Sequence, residues 1–223
     1  LMLKKRIFLS TLGNLKLHFS VQLFCYVFIP AFVLSLITLF PSLEISPMFT
    51  AGIIILSCMP TTISSCVVLT GLAKGNESGA LFNGIFSNLV GIFICPFLVH
   101  FFLNMKNTGI DLDPIPILET LVFLVLIPML LGNISLFYLG TSKVTSWTKK
   151  VRFCSSFIVL IIIYIIFFDT FNEMKNLSLS FTQILYLCLQ LFVLHLILFS
   201  ISFFFGLVLK FKEKDLKALI FTA

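Results

Sequence analysis

Charge is what this sequence has least of: 11% of its 223 residues are Asp, Glu, Lys or Arg, against roughly 25% in soluble domains. With 59% hydrophobic residues and a mean hydropathy of +1.15, a water-soluble globule is excluded and an integral membrane protein is implied. Alternation of apolar and polar residues is missing too. The apolar residues come in long unbroken runs, which excludes the two-residue period of a membrane β-barrel. Paired cysteines are absent: Cys25, Cys58, Cys66, Cys95, Cys154 and Cys188 stand singly in apolar segments, with no CxxC pair. Neither a disulfide framework nor a metal site is indicated by them. Walker loops, nucleophile elbows, zincin motifs and dinucleotide fingerprints are also lacking, so nothing in the residues supports an enzyme.

What the sequence has is six apolar stretches, at about 17–40, 48–70, 78–105, 119–139, 153–168 and 182–208. They predict an all-α membrane protein forming one polytopic unit over residues 1–223. The fifth stretch is short: sixteen residues reach about 24 Å, so Arg152 and Asp169 are expected near the interfaces of a hydrocarbon layer of about 30 Å. The segments 140–152 and 169–180 read as polar connections, and residues 1–16 as an amphipathic segment beside the membrane. The chain starts at Leu1 and ends in LKALIFTA, an apolar run hardly begun; both ends are expected to be internal to a longer protein.

The basic residues are unevenly placed. Segments 1–16, 71–77, 140–152 and 210–217 hold thirteen of the fifteen Lys and Arg, and the intervening connections hold only Lys106 and Lys175. The positive-inside rule therefore puts the first group in the cytoplasm. This accounts for the net charge of +6 without nucleic acid or any other acidic ligand; the partners expected are the lipid bilayer and a small-molecule or ion substrate.

The stretch CMPTTISSCVVLTGLAKGNE, residues 58–77, interrupts the second apolar run. Pro60 lacks a backbone donor and crowds the preceding turn, so the helix should break or kink here. The hydroxyls of Thr61, Thr62, Ser64 and Ser65 follow at membrane depth, where polar groups must be buried in protein or line a wet cavity. Two readings stand side by side: a kinked span whose hydroxyls bond back to their own helix, or a broken helix of the kind that coordinates ions in secondary carriers. After the break, Gly75 is expected to take a left-handed turn, and Asn76 or Ser78 to cap the next helix.

Further polar groups at membrane depth are Gln22, Asn83 and Asn88, with Gln183, Gln190 and His195 in the last span. Apart from Glu119 at the very start of the fourth stretch, no Asp or Glu lies inside a span, and neutral oxygens suit Na+ better than a divalent cation, which wants carboxylates. Glu77 reads as a residue of a helix start, His100 and His195 as hydrogen-bonded or packed side chains, and His18 as interfacial. In the third span Gly79, Ala80, Gly84, Ser87 and Gly91 include pairs four apart, the spacing for close helix contact.

Taken in order, Gln22 to Pro30, CMPTTISSCVVLT, LAKGNE, ALFNGIFSNLVGIFICPFL and IIYIIFFDTFN resemble the bile acid/sodium symporter family, in particular its member-7 branch. The resemblance implies ten helices in two inverted five-helix repeats, with two broken helices crossing at mid-membrane and sodium bound beside the crossing. These residues would be family helices three to eight, with the second span as the first crossing helix. Ser65 and Cys66 match positions where bacterial members use a serine and an asparagine for sodium. Thr62, Ser64 and Asn83 lie nearby in the motif, and Gln22 matches a glutamine of the other sodium site. Cys66 departs from the pattern by replacing an amide oxygen. The function implied is sodium-dependent transport of a small organic anion by a multi-pass protein of the plasma membrane or secretory pathway. The alternative is a non-transporting regulator of cellular calcium homeostasis that acts through partners.

The orientation is testable in a cysteine-free background. Ile110→Cys should be labelled from outside intact cells, and Ser146→Cys only after permeabilisation; the reverse pattern would overturn the assignment of sides.

Overall fold

The computed structural model describes residues 13–41, 47–106, 109, 112–139, 141–176 and 181–223. Among these the regular structure is entirely helical. The order is α1 Leu15–Leu39, α2 Pro47–Ser57, α3 Ile63–Leu72, α4 Glu77–Lys106, α5 Pro114–Leu121, α6 Ile127–Leu139, α7 Thr141–Asn176, α8 Phe181–Val208 and α9 Glu213–Thr222. Among the described residues five stretches are long and apolar enough to cross a membrane: Leu15–Leu39, Glu77–Lys106, Pro114–Gly132, Phe153–Phe171 and Thr182–Val208. The second apolar run is divided between α2 and α3, which have 11 and 10 residues. Of the amphipathic segment expected at 1–16, residues 1–12 lie outside the described residues, and Leu15 and Lys16 already belong to α1.

Proline explains most of the irregularity. A π-turn at Phe24–Phe28 precedes Pro30, and another at Val122–Leu126 precedes Pro128. Pro30 cannot donate to the carbonyl four residues back, and in the first case Ile29 N–H bonds instead to Phe24 O, five residues back. One extra residue per turn thus absorbs the missing donor. Pro96 is carried within α4. Pro60 instead divides one apolar run into two helices: α2 stops at Ser57, residues 58–62 are non-helical, and α3 starts at Ile63.

Of the two segments expected as polar connections, residues 141–152 and 169–176 are helical. The backbone of α7 runs for 36 residues, Thr141 to Asn176, about 54 Å at 1.5 Å per residue. Polar composition at 141–152 and 169–176 marks where the bilayer ends. It does not end the helix, because intrahelical backbone bonds are as available in water as in lipid.

The chain groups into two compact units, one of residues up to Leu121 together with Leu191–Ala223, the other Val122–Gln190. In the second, the side chains from Phe157 to Phe168 are exposed and apolar, as suits contact with lipid. In the first, Leu17, Val21 and Cys25 of α1 pack with Ala80 and Cys95 of α4 and with Ala218 and Leu219 of α9. A neighbouring cluster joins Val33 and Ile37 of α1, Ala51 and Ile54 of α2, and Val99 and Leu103 of α4.

The α3–α4 turn corrects one expectation. Lys74, not Gly75, takes the left-handed conformation, at φ 57°. Gly75 is needed for space: a Cβ there would stand 2.8 Å from Thr70 Cγ2 and 2.9 Å from Lys217 Cβ. Asn76 then caps α4 by accepting from Gly79 N–H at 2.9 Å. Its own N–H donates to Lys214 O at 2.9 Å and its Nδ2 to Asp215 Oδ1 at 2.7 Å, which ties α9 to this turn. Gly75→Ala should therefore lower stability in detergent by about 1–3 kcal/mol through overpacking. Lys74→Gly, which relieves the left-handed strain, should be neutral or stabilising by up to about 1 kcal/mol. Thermal melts of the two variants check the opposite signs.

Candidate functional site at the broken helix

The break is held open from α4. Residues Ala80, Gly84, Asn88, Gly91 and Cys95 recur at four- and three-residue spacing, so they share one helix face. The glycines let the broken segment approach: a Cβ at Gly84 would meet Ile63 Cα at 3.2 Å, and one at Gly91 would meet Pro60 Cγ at 3.1 Å. The polar members of the strip satisfy the backbone that the break releases. Asn88 Nδ2 donates to Thr61 O at 2.8 Å and to Gly84 O of its own helix at 2.8 Å. The Cys95 thiol donates to Cys58 O at 3.0 Å. Two tight turns finish α2, Cys58 N–H to Ile55 O at 3.1 Å and Met59 N–H to Leu56 O at 3.2 Å. Thr62 is extended (φ −81°, ψ 124°) as the residue before α3.

The six residues singled out from the sequence fall into three places. Thr62, Ser64 and Ser65 are exposed together at the start of α3. Cys66 faces the other way, buried against α4, with its thiol donating to Ile63 O at 3.2 Å and lying 3.8 Å from Ala80 O. Gln22 and Asn83 lie in the seam between α1 and α4: Ser87 Oγ donates to Gln22 Oε1 at 3.0 Å, and His18 Nδ1 is 2.9 Å from Asn83 Oδ1. Gln22 Nε2, Asn83 Nδ2 and Thr70 Oγ1 are buried and have no hydrogen-bond partner in the protein.

His18 is a correction. Expected at the interface, it is 6% exposed and packs on the Phe82 ring at 4.3 Å between centroids. Asn83 supplies the polar partner that makes its burial tolerable. Tyr26 is not among the residues that the sequence singles out, yet its hydroxyl donates to Ser87 O; the small-residue strip that marks close packing on α4 is the available signal. His100 is hydrogen-bonded, its Nδ1 2.9 Å from Leu112 O. His195 lines a mostly apolar cavity of about 270 Å³ with Ile29, Val33, Ser57, Met59 and Leu194. Among the described residues no cluster of three His, Cys, Asp or Glu could hold a metal ion.

Long apolar helices with one discontinuous member, held open at its break by a neighbouring helix, define a multi-pass membrane protein of the carrier type. The family model of the SBF-like CPA transporters matches residues 1–223, and the chain belongs to the SBF-like CPA transporter family, a family of transporters and not of enzymes. Sodium/bile acid cotransporter 7 of Danio rerio is 32% identical over 206 residues, 92% of this chain and 59% of that protein. Sodium/bile acid cotransporter 7 of Xenopus tropicalis is 31% identical over 210 residues, again 92% and 59%. The putative symporter YfeH of Escherichia coli (strain K12) is 25% identical over 211 residues, 94% of this chain and 61% of that protein. The chain thus spans about three fifths of the length of these relatives.

Asn88→Leu keeps the size of the side chain and removes the donor that caps Thr61 O. It should cost about 1–3 kcal/mol. Backbone amides of residues 58–63 should exchange faster with solvent, while those of α1 hold; equal protection in variant and wild type would remove Asn88 from its role at the break.

Proposed function

We propose that the whole protein is a secondary carrier that moves a small organic anion with Na+ as co-substrate. The observation that carries this reading is the held-open break. It presents two half-helix ends at one depth: the carbonyl end of α2, which favours a cation, and the amide end of α3, which favours an anion. Thr62, Ser64 and Ser65 add neutral hydroxyl oxygens on the exposed side, and such oxygens suit a hard monovalent cation. Gln22 and Asn83 bring two more amides to the adjoining seam, and Cys66 belongs to the same motif but turns its thiol toward α4. The apolar cavity at Ser57 and Met59 offers surface to the body of an organic ion. The printed names of the cotransporter relatives point the same way.

The test is uptake of radiolabelled organic anions, a bile acid among them, into proteoliposomes of the whole protein at varied Na+. Pro60→Ala should restore helix across the break, and Ser65→Ala should remove one oxygen. Each should raise the Na+ concentration for half-maximal uptake several-fold, about 1 kcal/mol of lost interaction. Ser200→Ala is the control: its hydroxyl donates to Leu196 O within α8, and its removal should leave Na+ dependence alone. If neither Pro60→Ala nor Ser65→Ala alters Na+ dependence, the break is only a kink and the ion reading of these residues fails.

A further inference from the structure

Away from the break, three exposed lysines converge on one cleft. It has a volume of about 520 Å³ and is lined by Gly13, Asn14 and Lys16 at the start of α1 and by Lys210, Phe211, Lys212 and Asp215 between α8 and α9. Lys16 Nζ donates to Leu209 O and stands 5.0 Å from the centre of the Phe211 ring, so its ammonium is fixed over the cleft. Among the described residues Lys210 and Lys212 make no ion pair. The nearby acids are engaged elsewhere: Asp215 accepts from Asn76 Nδ2 at 2.7 Å, and Glu213 pairs with Lys217 at 2.6 Å. The Lys217 ammonium accordingly holds the Glu213 carboxyl below its usual range. Three lysines against Asp215 leave the cleft with a charge of about +2.

The backbone adds a second observation. Lys210 has φ 53°, the left-handed conformation that glycine takes without strain where a helix ends. Its N–H donates to Leu207 O at 2.9 Å and the Phe211 N–H to Gly206 O at 3.2 Å, closing α8. A lysine here is favoured by the carbonyl end of α8, but that accounts for one cation and not for three facing one cleft.

The surroundings are those of a lipid. Leu15 is 73% exposed, Phe19 70% and Val208 78%. These apolar side chains stand next to Lys16 and Leu209 at the points where α1 and α8 enter the apolar layer. The positive-inside distribution puts this end on the cytoplasmic side, where anionic lipids gather.

We propose that Lys16, Lys210 and Lys212 form a headgroup site for an anionic phospholipid that carries a phosphomonoester. The dianionic phosphate matches the charge of the cleft, Lys16 is held ready by Phe211, and the acyl chains run down past Leu15, Phe19 and Val208. The site is separate from the break and does not depend on what the carrier moves.

The experiment measures binding of fluorescent phosphatidylinositol 4-phosphate to the whole protein in phosphatidylcholine nanodiscs. The informative variant is K210G together with K212Q, because glycine relieves the left-handed strain at 210. It should melt no lower than the wild type and yet bind the lipid about tenfold or more weakly. K106Q, at the opposite end of α4, should bind as the wild type does. Unchanged affinity in the double variant overturns the proposal, and so does an equal loss in K106Q, which would mean diffuse attraction. Soluble inositol 1,4-bisphosphate should compete only weakly; competition as strong as the lipid's own would make the cleft a site for a soluble phosphate. Displacement of the lipid by an acidic peptide at comparable concentration would make it a protein-docking site. Either result overturns the lipid assignment.

Discussion

At membrane depth a backbone carbonyl or amide has no water to turn to, and the whole arrangement around Pro60 depends on that. A chain that stops being helical there must find partners in its neighbour. Here they come from a single strip of α4, in which Gly84 and Gly91 bring the two backbones close and Asn88 and Cys95 take up the Thr61 and Cys58 carbonyls. Distance and donor are both required. An amide at 88 without the glycines would be held off from Thr61, and the glycines without the amide would pack a bare carbonyl. Comparison with the other prolines makes the point: before Pro30 and Pro128 a π-turn absorbs the defect within the helix. Pro60 yields a true break because α4 is built to receive one.

The same physics sets how the first unit coheres. Lipid is as apolar as the side chains, so burying Leu17, Val21 or Leu103 gains little over leaving them in the bilayer. Close approach and buried polar pairs carry more of the load. His18 with Asn83, Ser87 Oγ with Gln22, and Tyr26 hydroxyl with Ser87 O form a seam down the α1–α4 contact. Each such bond contributes about 0.6–2 kcal/mol. At one end of the unit, Asn76 links the α3–α4 turn to α9 through a backbone and a side-chain bond. The unit is thus tied by polar bonds at an end and along a seam, with small residues between.

How much of this could be read in the chain follows from which interactions are local. The break at Pro60, the cap at Asn76 and the long spans rest on short-range chemistry and are visible as residues. The carbonyl partners are not: Asn88 lies 27 residues from Thr61, and Cys95 lies 37 from Cys58. Only the recurrence of small residues on α4 hinted at the face. His18 looked interfacial because its place in the span is terminal; its burial depends on Asn83, 65 residues on. Glycine usually serves left-handed turns, which points to Gly75, whereas its absent side chain makes room for Lys217 and the strain falls on Lys74. The extent of α7 was hidden for another reason. Hydropathy reports where a helix leaves the apolar layer, and the helix itself obeys its own backbone bonds.

Cys66 shows how packing and side-chain placement interlock at the break. Its thiol lies against α4, and a Cβ at Gly84 would come within 3.3 Å of Cys66 Sγ. The side chain fills the space that the glycine leaves. An amide at this position has two more heavy atoms and would have to lift α3 from α4, turn toward the exposed side, or displace Ala80. A cysteine keeps α3 seated, with Ser64 and Ser65 left exposed on the same turn. Seating α3 in this way fixes the direction of its amide end relative to the carbonyl end of α2. The small residue at 66 therefore acts on the break through the placement of the helix that carries the hydroxyls, and the oxygens at 62, 64 and 65 inherit their positions from it.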